Sequence, residues 1–498
     1  MNRALRRVSL ACLVMFVLLL VNVNWLQGFD AASLASEPGN GRTFSEQFQF
    51  QRGSIVTADQ KVIAESRLNK NLGEYQRHYP VGPVYAPITG YDSLFSATGI
   101  EQAENKQLSG SDPALAVHNL IDLVTGKPKK GATVQLTINS AAQEAAFGAL
   151  QAQGRQAGVV ALNPQTGAVL ALASYPTFDP NQLATLNGSK LVRNDKRLLR
   201  DPNQPLLNRA LNDTFPPGST FKIVTSSAAM TDGLSRRGIT QDTPVYAPTK
   251  LKLPGVTEPL INFDGEACDN GSNPTGTGKV PLIFAFTVSC NTVFGNLGLQ
   301  LGGAKLKQQA TLYGMNNPRL AIPLPVTQSN FPLYEDRAQA AGAAIGQESD
   351  TVTPLQEAML SAAVANKGTL MKPYMVDKVT APDLTPLSTT QPTVLSHPVS
   401  PTVAGELTQM MITVTQSPQG TAHATADVPG IVIAAKTGTA QTGINNSGLD
   451  DAVFTCFAPA ANPQIAVGVV VRGGGLGADA SAPIAVKIIQ AYLAAVGK

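Results

Sequence analysis

The chain has 498 residues, of which 43% are hydrophobic and 14% charged, and its formal net charge is +3. This length predicts two or three domains, and this balance is typical of a globular protein and excludes a disordered one. Because Arg3, Arg6 and Arg7 account for the whole net charge, the rest of the chain is neutral and lacks the electrostatic footprint of nucleic-acid binding. Neither the four cysteines nor the four histidines show metal-ligand spacing.

An uncharged apolar stretch follows the three arginines at residues 8–26. Its length suits a membrane span better than the apolar region of a signal peptide. The arginines on its short side predict a cytoplasmic N-terminus, with everything after the span outside the cytoplasm. The competing interpretation is a cleaved signal peptide, with Ser33–Ala35 as a loose match to a cleavage site. The polar residues between the stretch and that site fit this poorly, so we favour a retained single-span anchor.

Residues 28–132 are polar and broken by glycines, with short strand-like runs, and we interpret them as a smaller, irregular domain. The character of the sequence changes at Thr133. Residues 134–153 are typical of a strand followed by a helix, and residues 158–176 of two strands joined by a turn.

Ala-rich helical patterns follow Ser219 and Thr353, and three strand-like runs follow Ile431 before a closing helix at residues 481–497. The Thr- and Pro-rich stretch 380–402 between them is predicted to be a surface loop. Strands at both ends with helices between them predict one α+β domain whose sheet is closed by the end of the chain.

The stretch DTFPPGSTFK places Ser219 directly after Pro-Pro-Gly and Lys222 three residues later. Positions i and i+3 share one face of a helix, so both side chains are predicted to face the same space. Taken alone, the pattern fits a capping serine and a solvated lysine.

Two further motifs favour a catalytic interpretation of Ser219 and Lys222 instead: Ser289-Cys290-Asn291 and Lys436-Thr437-Gly438-Thr439. Each has a simple structural explanation, a turn in the first case and a strand that leaves the core through glycine in the second. All three motifs in this order are much less expected by chance. A serine becomes a nucleophile when a base removes its proton, and no histidine lies near these motifs. Lys222 could serve as that base if a buried site and a second cation, Lys436, lower its pKa.

These residue types suggest specific roles. We expect Ser219 to be the nucleophile, at a helix N-terminus where backbone N–H groups stabilise negative charge. Lys222 would be the base, Ser289 would relay a proton to the leaving amine, and Asn291 would hold Lys222 and a substrate amide. The residues expected to hold an extended peptide and its C-terminal carboxylate all lie in the K-T-G-T motif: Lys436, Thr437, Gly438 and Thr439.

The motifs S-x-x-K, S-x-N and K-T-G resemble the signature of β-lactamases and penicillin-binding proteins, with SCN in place of SDN. Residues 51–66 resemble the R-G-x-I element of class B penicillin-binding proteins, and residues 158–181 resemble the strand pair that opens their transpeptidase domain. The resemblance implies an α+β penicillin-binding/β-lactamase-like fold, with an antiparallel sheet and helices on both faces. It also implies an anchor at 1–27, a pedestal or dimerisation-like domain at 28–132 and a transpeptidase domain at 133–498.

The resemblance further implies a peptidoglycan D,D-transpeptidase. Ser219 would attack the carbonyl before the terminal D-Ala of a stem peptide, release D-Ala, and pass the acyl group to an amine of a neighbouring stem peptide. The oxyanion donors would be the backbone N–H groups of Ser219 and Thr439, and no cofactor is implied. β-Lactam antibiotics would acylate the same serine. The implied setting is cell-wall synthesis at the cell membrane, in septation and cell shape, with wall-synthesis and division proteins as partners.

Three alternatives remain open at this stage. A β-lactamase or β-lactam sensor shares the motifs, but the deacylating glutamate of class A enzymes lies in an E-x-x-L-N string. The nearest string here, Glu357–Ser361, lacks the asparagine, and we expect Glu357 on a helix surface. A D,D-carboxypeptidase differs only in using water as acceptor. A non-catalytic scaffold is disfavoured by the intact serine, lysines and asparagine.

Outside the cytoplasm, Cys268 and Cys290 could form a disulfide that contributes about 3 kcal/mol, and two free thiols are the alternative. Cys456 is predicted to be a small buried side chain. Glu101 matches a family segment in the N-terminal region, and we assign it no catalytic role.

Overall fold

The computed structural model describes residues 2–28, 48–115, 129–232, 239–265, 267–268, 278–441 and 448–497. The helices are Asn2–Gly28 (α1), Gly82–Thr89 (α2), Gly99–Ala103 (α3), Asn105–Leu108 (α4), Ser140–Gln153 (α5), Gly188–Leu199 (α6), Arg209–Asn212 (α7), Lys222–Asp232 (α8), Leu282–Thr287 (α9), Asn291–Leu312 (α10), Arg337–Ala343 (α11), Pro354–Ala365 (α12), Pro401–Gln416 (α13), His423–Ala426 (α14), Gly477–Ala480 (α15) and Ala482–Ala495 (α16). The strands are Ile55–Val56 (β1), Val62–Asn69 (β2), Glu74–His78 (β3), Thr133–Leu136 (β4), Ala157–Leu162 (β5), Val169–Tyr175 (β6), Pro244–Tyr246 (β7), Lys250–Leu251 (β8), Leu260–Ile261 (β9), Lys279–Pro281 (β10), Leu370–Met371 (β11), Val376–Thr380 (β12), Pro386–Thr389 (β13), Val394–Ser396 (β14), Ala434–Ala440 (β15), Asp451–Ala458 (β16) and Ile465–Val471 (β17).

Helix α1 exposes its apolar side chains. The stretch Arg6–Gln27 is long and apolar enough to cross a membrane, and none of it is buried against the rest of the chain. Its 22 residues span about 33 Å at the rise of an α-helix, which matches the hydrocarbon core of a bilayer.

A five-stranded antiparallel sheet forms the core of the larger part of the molecule, in the order β15-β16-β17-β5-β6. All residues of β5, β16 and β17 are buried, so both faces of the sheet are covered. Helix α12 packs on one face, and helices α5 and α16 pack together on the other. The Thr353 hydroxyl caps α12 by accepting from the Gln356 N–H, and Pro354 follows at the first helical position. The strand runs and the closing helix expected from the sequence are all present.

A second sheet has six strands in the order β13-β12-β4-β1-β2-β3, with β1 parallel to β4. It joins strands from both sides of the domain boundary predicted at Ala132/Thr133. Two glycines allow backbone segments to pack closely at this boundary. A Cβ at Gly53 would lie 1.8 Å from the Ala132 carbonyl oxygen, and a Cβ at Gly131 would lie 1.7 Å from the Leu108 carbonyl oxygen. The glycine of the R-G-x-I element is therefore required by packing.

The surface loop predicted at residues 380–402 is a wrong prediction, because two short strands lie within it. Strand β13 pairs with β12, and β14 pairs with β11. Threonine and valine favour strands, and Pro386 stands at the first position of β13, where proline is tolerated.

A cluster of opposite charges is buried beneath the second sheet. Glu101 is 0% exposed, and its two carboxylate oxygens accept from Arg77 Nε and, at 2.6 Å, from Arg52 Nε. Burial alone would raise the pKa of Glu101, but Arg77 and Arg52 outweigh it and hold that pKa below its ordinary value. Asp92 lies 3.8 Å from Arg52 Nε and completes the cluster. Glu101 therefore has a structural environment, consistent with the absence of a catalytic role.

Candidate active site

The turn that carries Ser219 is a 3₁₀ turn, Gly218–Phe221, that leads directly into α8. Pro217 occupies the capping position, so Ser219 is not the cap, and its side chain is partly exposed. Gly218 has φ +55°, and a Cβ there would lie 2.7 Å from the Thr439 carbonyl oxygen. Only glycine combines this backbone conformation with so close an approach of β15 to the turn.

Lys222 lies one turn further and is fully buried. Its Nζ donates to the Ser289 carbonyl oxygen at 2.7 Å, to Ser289 Oγ at 3.1 Å and to Asn291 Oδ1 at 2.7 Å. The structure thus brings together S-x-x-K and S-x-N, as the sequence predicts. The remaining Asn291 group, Nδ2, donates to the Ile261 carbonyl oxygen at 3.3 Å.

The Ser289 hydroxyl lies between two lysines. Lys436 Nζ donates to it at 2.9 Å, opposite the 3.1 Å contact from Lys222. A hydroxyl has two lone pairs and one proton, so it can accept from both amines, and it can donate only to an amine that has lost its charge. Ser289 also has φ +60°, a conformation that non-glycine residues adopt mainly at strained functional sites.

The two lysines share an unusual electrostatic environment. Burial, and then the charge of Lys436, lowers the pKa of Lys222 well below its ordinary value. Burial also lowers the pKa of Lys436, to about 7. The Phe294 and Phe286 rings face their Nζ atoms at 5.5 and 5.6 Å, and within the described part of the chain no carboxylate forms a salt bridge with either. A lysine that loses its proton near neutral pH is chemically suited to act as a base.

Strand β15 carries the K-T-G-T motif at the edge of the five-stranded sheet. Thr439 is partly exposed, whereas Thr437 is buried and its Oγ1 lies 2.7 Å from Thr421 Oγ1. A Cβ at Gly438 would lie 2.8 Å from the Pro217 carbonyl oxygen and 3.1 Å from Thr220 Cγ2. The glycine thus admits the Ser219 turn, in addition to any room that it leaves for a substrate.

Cys268 and Cys290 form a disulfide with Cα atoms 5.5 Å apart, an ordinary separation for such a bond. Cys290 is the residue between Ser289 and Asn291, and it immediately precedes α10. The bond therefore ties the S-x-N segment to the chain around Cys268. Cys456 is buried, as expected, and burial raises the pKa of its thiol.

Two residues near the site were missed by sequence reasoning. Glu357 is 0% exposed, so the expectation of a helix surface is wrong. All twelve residues of α12 are buried, and the nearly uninterrupted apolar character of PLQEAMLSAAVA is the sequence pattern that indicates this. Gln347 is the second: its Nε2 donates to the Thr439 carbonyl oxygen at 3.0 Å, and nothing in its local sequence indicated a contact with β15.

Within the described ranges, no group of three or more His, Cys, Asp or Glu residues is arranged to hold a metal ion. What the site does contain is a partly exposed serine, a buried lysine three residues away and a hydroxyl shared by two lysines. This arrangement is suited to nucleophilic acyl transfer.

Comparison with known proteins agrees with this chemistry. Residues 157–490 match the penicillin-binding protein transpeptidase domain, and residues 52–134 match the penicillin-binding protein A dimerisation domain. The peptidoglycan D,D-transpeptidase PbpA of Mycolicibacterium smegmatis is 40% identical over 99% of both chains. The protein of that name from Mycobacterium tuberculosis is 38% identical, again over 99% of both chains.

Solved structures give the same result for the fold. The imipenem acyl-enzyme complex of M. tuberculosis penicillin-binding protein A matches with a TM-score of 0.83 and 37% identity, covering 90% of this chain and 100% of that one. The penicillin G acyl-enzyme complex of the same protein matches with a TM-score of 0.82 and 37% identity, covering 89% of this chain and 100% of that one. The predicted fold class and resemblance are thereby confirmed, and the chain belongs to the penicillin-binding transpeptidase family.

Proposed function

We propose that this protein is a peptidoglycan D,D-transpeptidase that acts through an acyl-enzyme on Ser219. The observation that carries the proposal is the Ser289 hydroxyl, which contacts both Lys222 and Lys436 at hydrogen-bond distance beside the Ser219 turn. The names of its relatives, peptidoglycan D,D-transpeptidases, supply the reaction and the substrate.

In the acylation step, neutral Lys222 takes the proton of the Ser219 hydroxyl as Oγ attacks the carbonyl before the terminal D-Ala. The new C–O bond gives a tetrahedral oxyanion, which the backbone N–H groups of Ser219 and Thr439 would stabilise. The C–N bond then breaks, and the leaving amine of D-Ala receives a proton through Ser289. Lys222 restores the Ser289 proton, so the protons balance.

In the second step, an amine of a neighbouring stem peptide attacks the acyl carbon. The ester C–O bond breaks, and Ser219 regains a proton as the new amide forms. Lys436, Thr437 and Thr439 would hold the terminal carboxylate of the donor peptide before it leaves. A β-lactam follows only the first step, which is the state named for M. tuberculosis penicillin-binding protein A with imipenem and penicillin G.

Helix α1 would anchor the protein in the cell membrane, with the arginine-bearing end in the cytoplasm and the catalytic part outside. Stem peptides of the wall are then directly accessible to the site. Wall-synthesis and division proteins as partners, and roles in septation and cell shape, follow from the family resemblance.

The three alternative functions predict different outcomes. Glu357 does not support a hydrolase, because its carboxyl group contacts Thr220 beneath the turn, so nothing indicates a water-activating role. A carboxypeptidase would release D-Ala without transferring the acyl group to an amine. A scaffold would bind no β-lactam covalently.

The test is labelling of the full-length protein in detergent with a fluorescent penicillin, beside the variant Ser219→Ala. Ser189→Ala, at an exposed serine of α6, is the matched control. A label that persists for hours in wild type and control, and is absent from Ser219→Ala, supports the acyl-enzyme. Label loss within seconds would instead indicate a hydrolase, and the absence of label from folded wild type would leave the scaffold.

A second assay separates transpeptidase from carboxypeptidase. A peptide ending in D-Ala-D-Ala is supplied with an excess of a D-amino acid as acceptor, and products are identified by mass spectrometry. Exchange of the terminal residue supports transfer, whereas D-Ala release with only the shortened peptide would contradict it.

A further inference from the structure

A carboxyl group is buried directly beneath the turn that carries Ser219. It belongs to Glu357, in the first turn of α12, and its Oε1 lies 2.9 Å from Thr220 Oγ1. The other oxygen, Oε2, is buried without a hydrogen-bond partner among the described residues. Thr220 is the immediate neighbour of Ser219, so this contact links the helix behind the sheet to the reactive turn.

The proton count at Thr220 favours the neutral form of the Glu357 carboxyl group. Thr220 Oγ1 also lies 2.7 Å from the Pro217 carbonyl oxygen, which can only accept a hydrogen bond. The hydroxyl has a single proton, so it can serve two acceptors only if one of them supplies a proton of its own. Both contacts are hydrogen bonds when Glu357 is a neutral acid that donates to Thr220, while Thr220 donates to Pro217.

The surroundings of the carboxyl group favour the neutral form. Burial raises the pKa of Glu357 to about 8, although the Thr220 hydrogen bond acts in the opposite direction. Within the part of the chain that the structure describes, no cation forms a salt bridge with it. A buried neutral acid is the form that can donate a hydrogen bond.

The acceptor at the end of this chain of bonds lies where the turn meets β15. The Pro217 carbonyl oxygen would be 2.8 Å from a Cβ at Gly438, and Gly218 makes the corresponding close approach to Thr439. The two proposed oxyanion donors, the N–H groups of Ser219 and Thr439, lie on these two segments. Their separation therefore depends on how firmly the Pro217–Thr220 turn is held.

We propose that Glu357 is a positioning residue: as a neutral acid it holds the Ser219 turn against β15 through Thr220 and Pro217. It touches neither the substrate nor the reacting atoms, and it acts on the geometry of the nucleophile and the oxyanion donors. The inference rests on the proposed acyl-enzyme function.

The test compares Glu357→Gln with Glu357→Leu in the full-length protein, by the second-order rate constant of acylation by penicillin. Glutamine retains an N–H donor of the same reach, so its rate constant should stay within about threefold of wild type. Leucine fills the space without a donor, so its rate constant should fall about tenfold to a hundredfold, as expected for a displaced reacting group. Leucine also leaves Thr220 satisfied by Pro217, so the variant should fold with an unchanged or higher melting temperature.

Thr220→Val tests the same contact from the other side. It should lower the rate constant to a similar extent, and the double variant with Glu357→Leu should be little worse than either single variant, because both remove one linkage. Equal losses in Glu357→Gln and Glu357→Leu would overturn the proposal, as would a Glu357→Leu rate constant equal to wild type. Labelling of wild type at Ser219 in the same assay shows separately whether the acyl-enzyme function holds.

Discussion

The protein buries two clusters of charged groups, and they have opposite character. In the N-terminal part, Arg52 and Arg77 surround Glu101, and opposite charges hold the pKa of the carboxylate below its ordinary value. In the active site, Lys222 and Lys436 carry the same charge, share one hydroxyl, and both have a lowered pKa. Charges that are buried with partners stay fixed and shape the fold, whereas cations buried without a counter-ion can lose their protons near neutral pH and become reactive.

The largest expected effect comes from removing the base. Lys222→Met should lower the rate constant of acylation by penicillin about a thousandfold or more, because it removes the amine that we propose takes the Ser219 proton. Stability should be equal or higher, since an apolar chain of similar length replaces a buried cation. Lys222→Arg, which keeps the charge and stays protonated, should not restore the rate. Retention of a tenth of the wild-type rate in Lys222→Met would refute Lys222 as the base.

The paired cluster should respond in stability instead. Glu101→Gln leaves Arg52 and Arg77 buried with only Asp92 as a counter-charge and should lower the free energy of unfolding by about 3–5 kcal/mol. The acylation rate constant of the folded fraction should not change. Denaturant titration measures the loss, and Glu144→Gln is the control. Glu144 forms an ion pair with Lys61, and their side chains are 44% and 38% exposed, so this pair should contribute at most about 1 kcal/mol to stability. Similar losses in both variants would contradict the distinction between buried and exposed pairs.

The coupling between the two lysines predicts a shift in pH dependence. Acylation should become faster as the pH rises through the lowered pKa of Lys222, because the proposed base must be neutral. The charge of Lys436 lowers the pKa of Lys222, so Lys436→Met should raise that pKa and move the rising limb to higher pH. The profile is measured with a penicillin at subsaturating concentration. A rising limb at the same pH in wild type and Lys436→Met would show that the charge of Lys436 does not affect the pKa of Lys222.

The last prediction concerns Glu357, a buried acid that pairs with no cation in the described part of the chain. The pKa of Glu357 is about 8 in the folded chain, against an ordinary value of 4.5. At a pH between these two values, the folded state keeps a proton that the unfolded state has released. Wild-type stability therefore loses this contribution progressively as pH rises from 4.5 to 8. Glu357→Gln does not titrate, so its melting temperature relative to wild type should increase over that range and level off above pH 8. A constant difference from pH 4.5 to 8 would contradict a neutral Glu357.

Much of the site follows from the sequence because its chemistry depends on short local motifs. The spacing of Ser219 and Lys222 already places both at one helix turn, and the apolar runs around Lys436 already predict a buried strand. The convergence of Ser289 on both lysines could not be derived in the same way, since it depends on contacts between residues more than 60 positions apart.

The errors have a common physical origin in tertiary packing. Helix α12 is predicted correctly as a helix, and its apolar sequence indicates burial, but the contact of Glu357 with Thr220 depends on the packing of distant segments. Strand β13 has an unremarkable local sequence and forms because β12 offers an edge to pair with. The close approach of Gly438 to Pro217 likewise belongs to a contact between distant segments.

The position of β5 between β6 and β17 in the five-stranded sheet has a consequence for the order in which the protein can mature. Its neighbours are β6, which follows at once along the chain, and β17, which lies near the other end. As synthesis proceeds, the Ser219 turn emerges long before the strand that completes the sheet carrying Lys436. A chain that stops after Ala458 contains every motif residue, yet it lacks β17 and leaves β5 and β16 with open edges. Penicillin binding therefore requires that synthesis has passed β17.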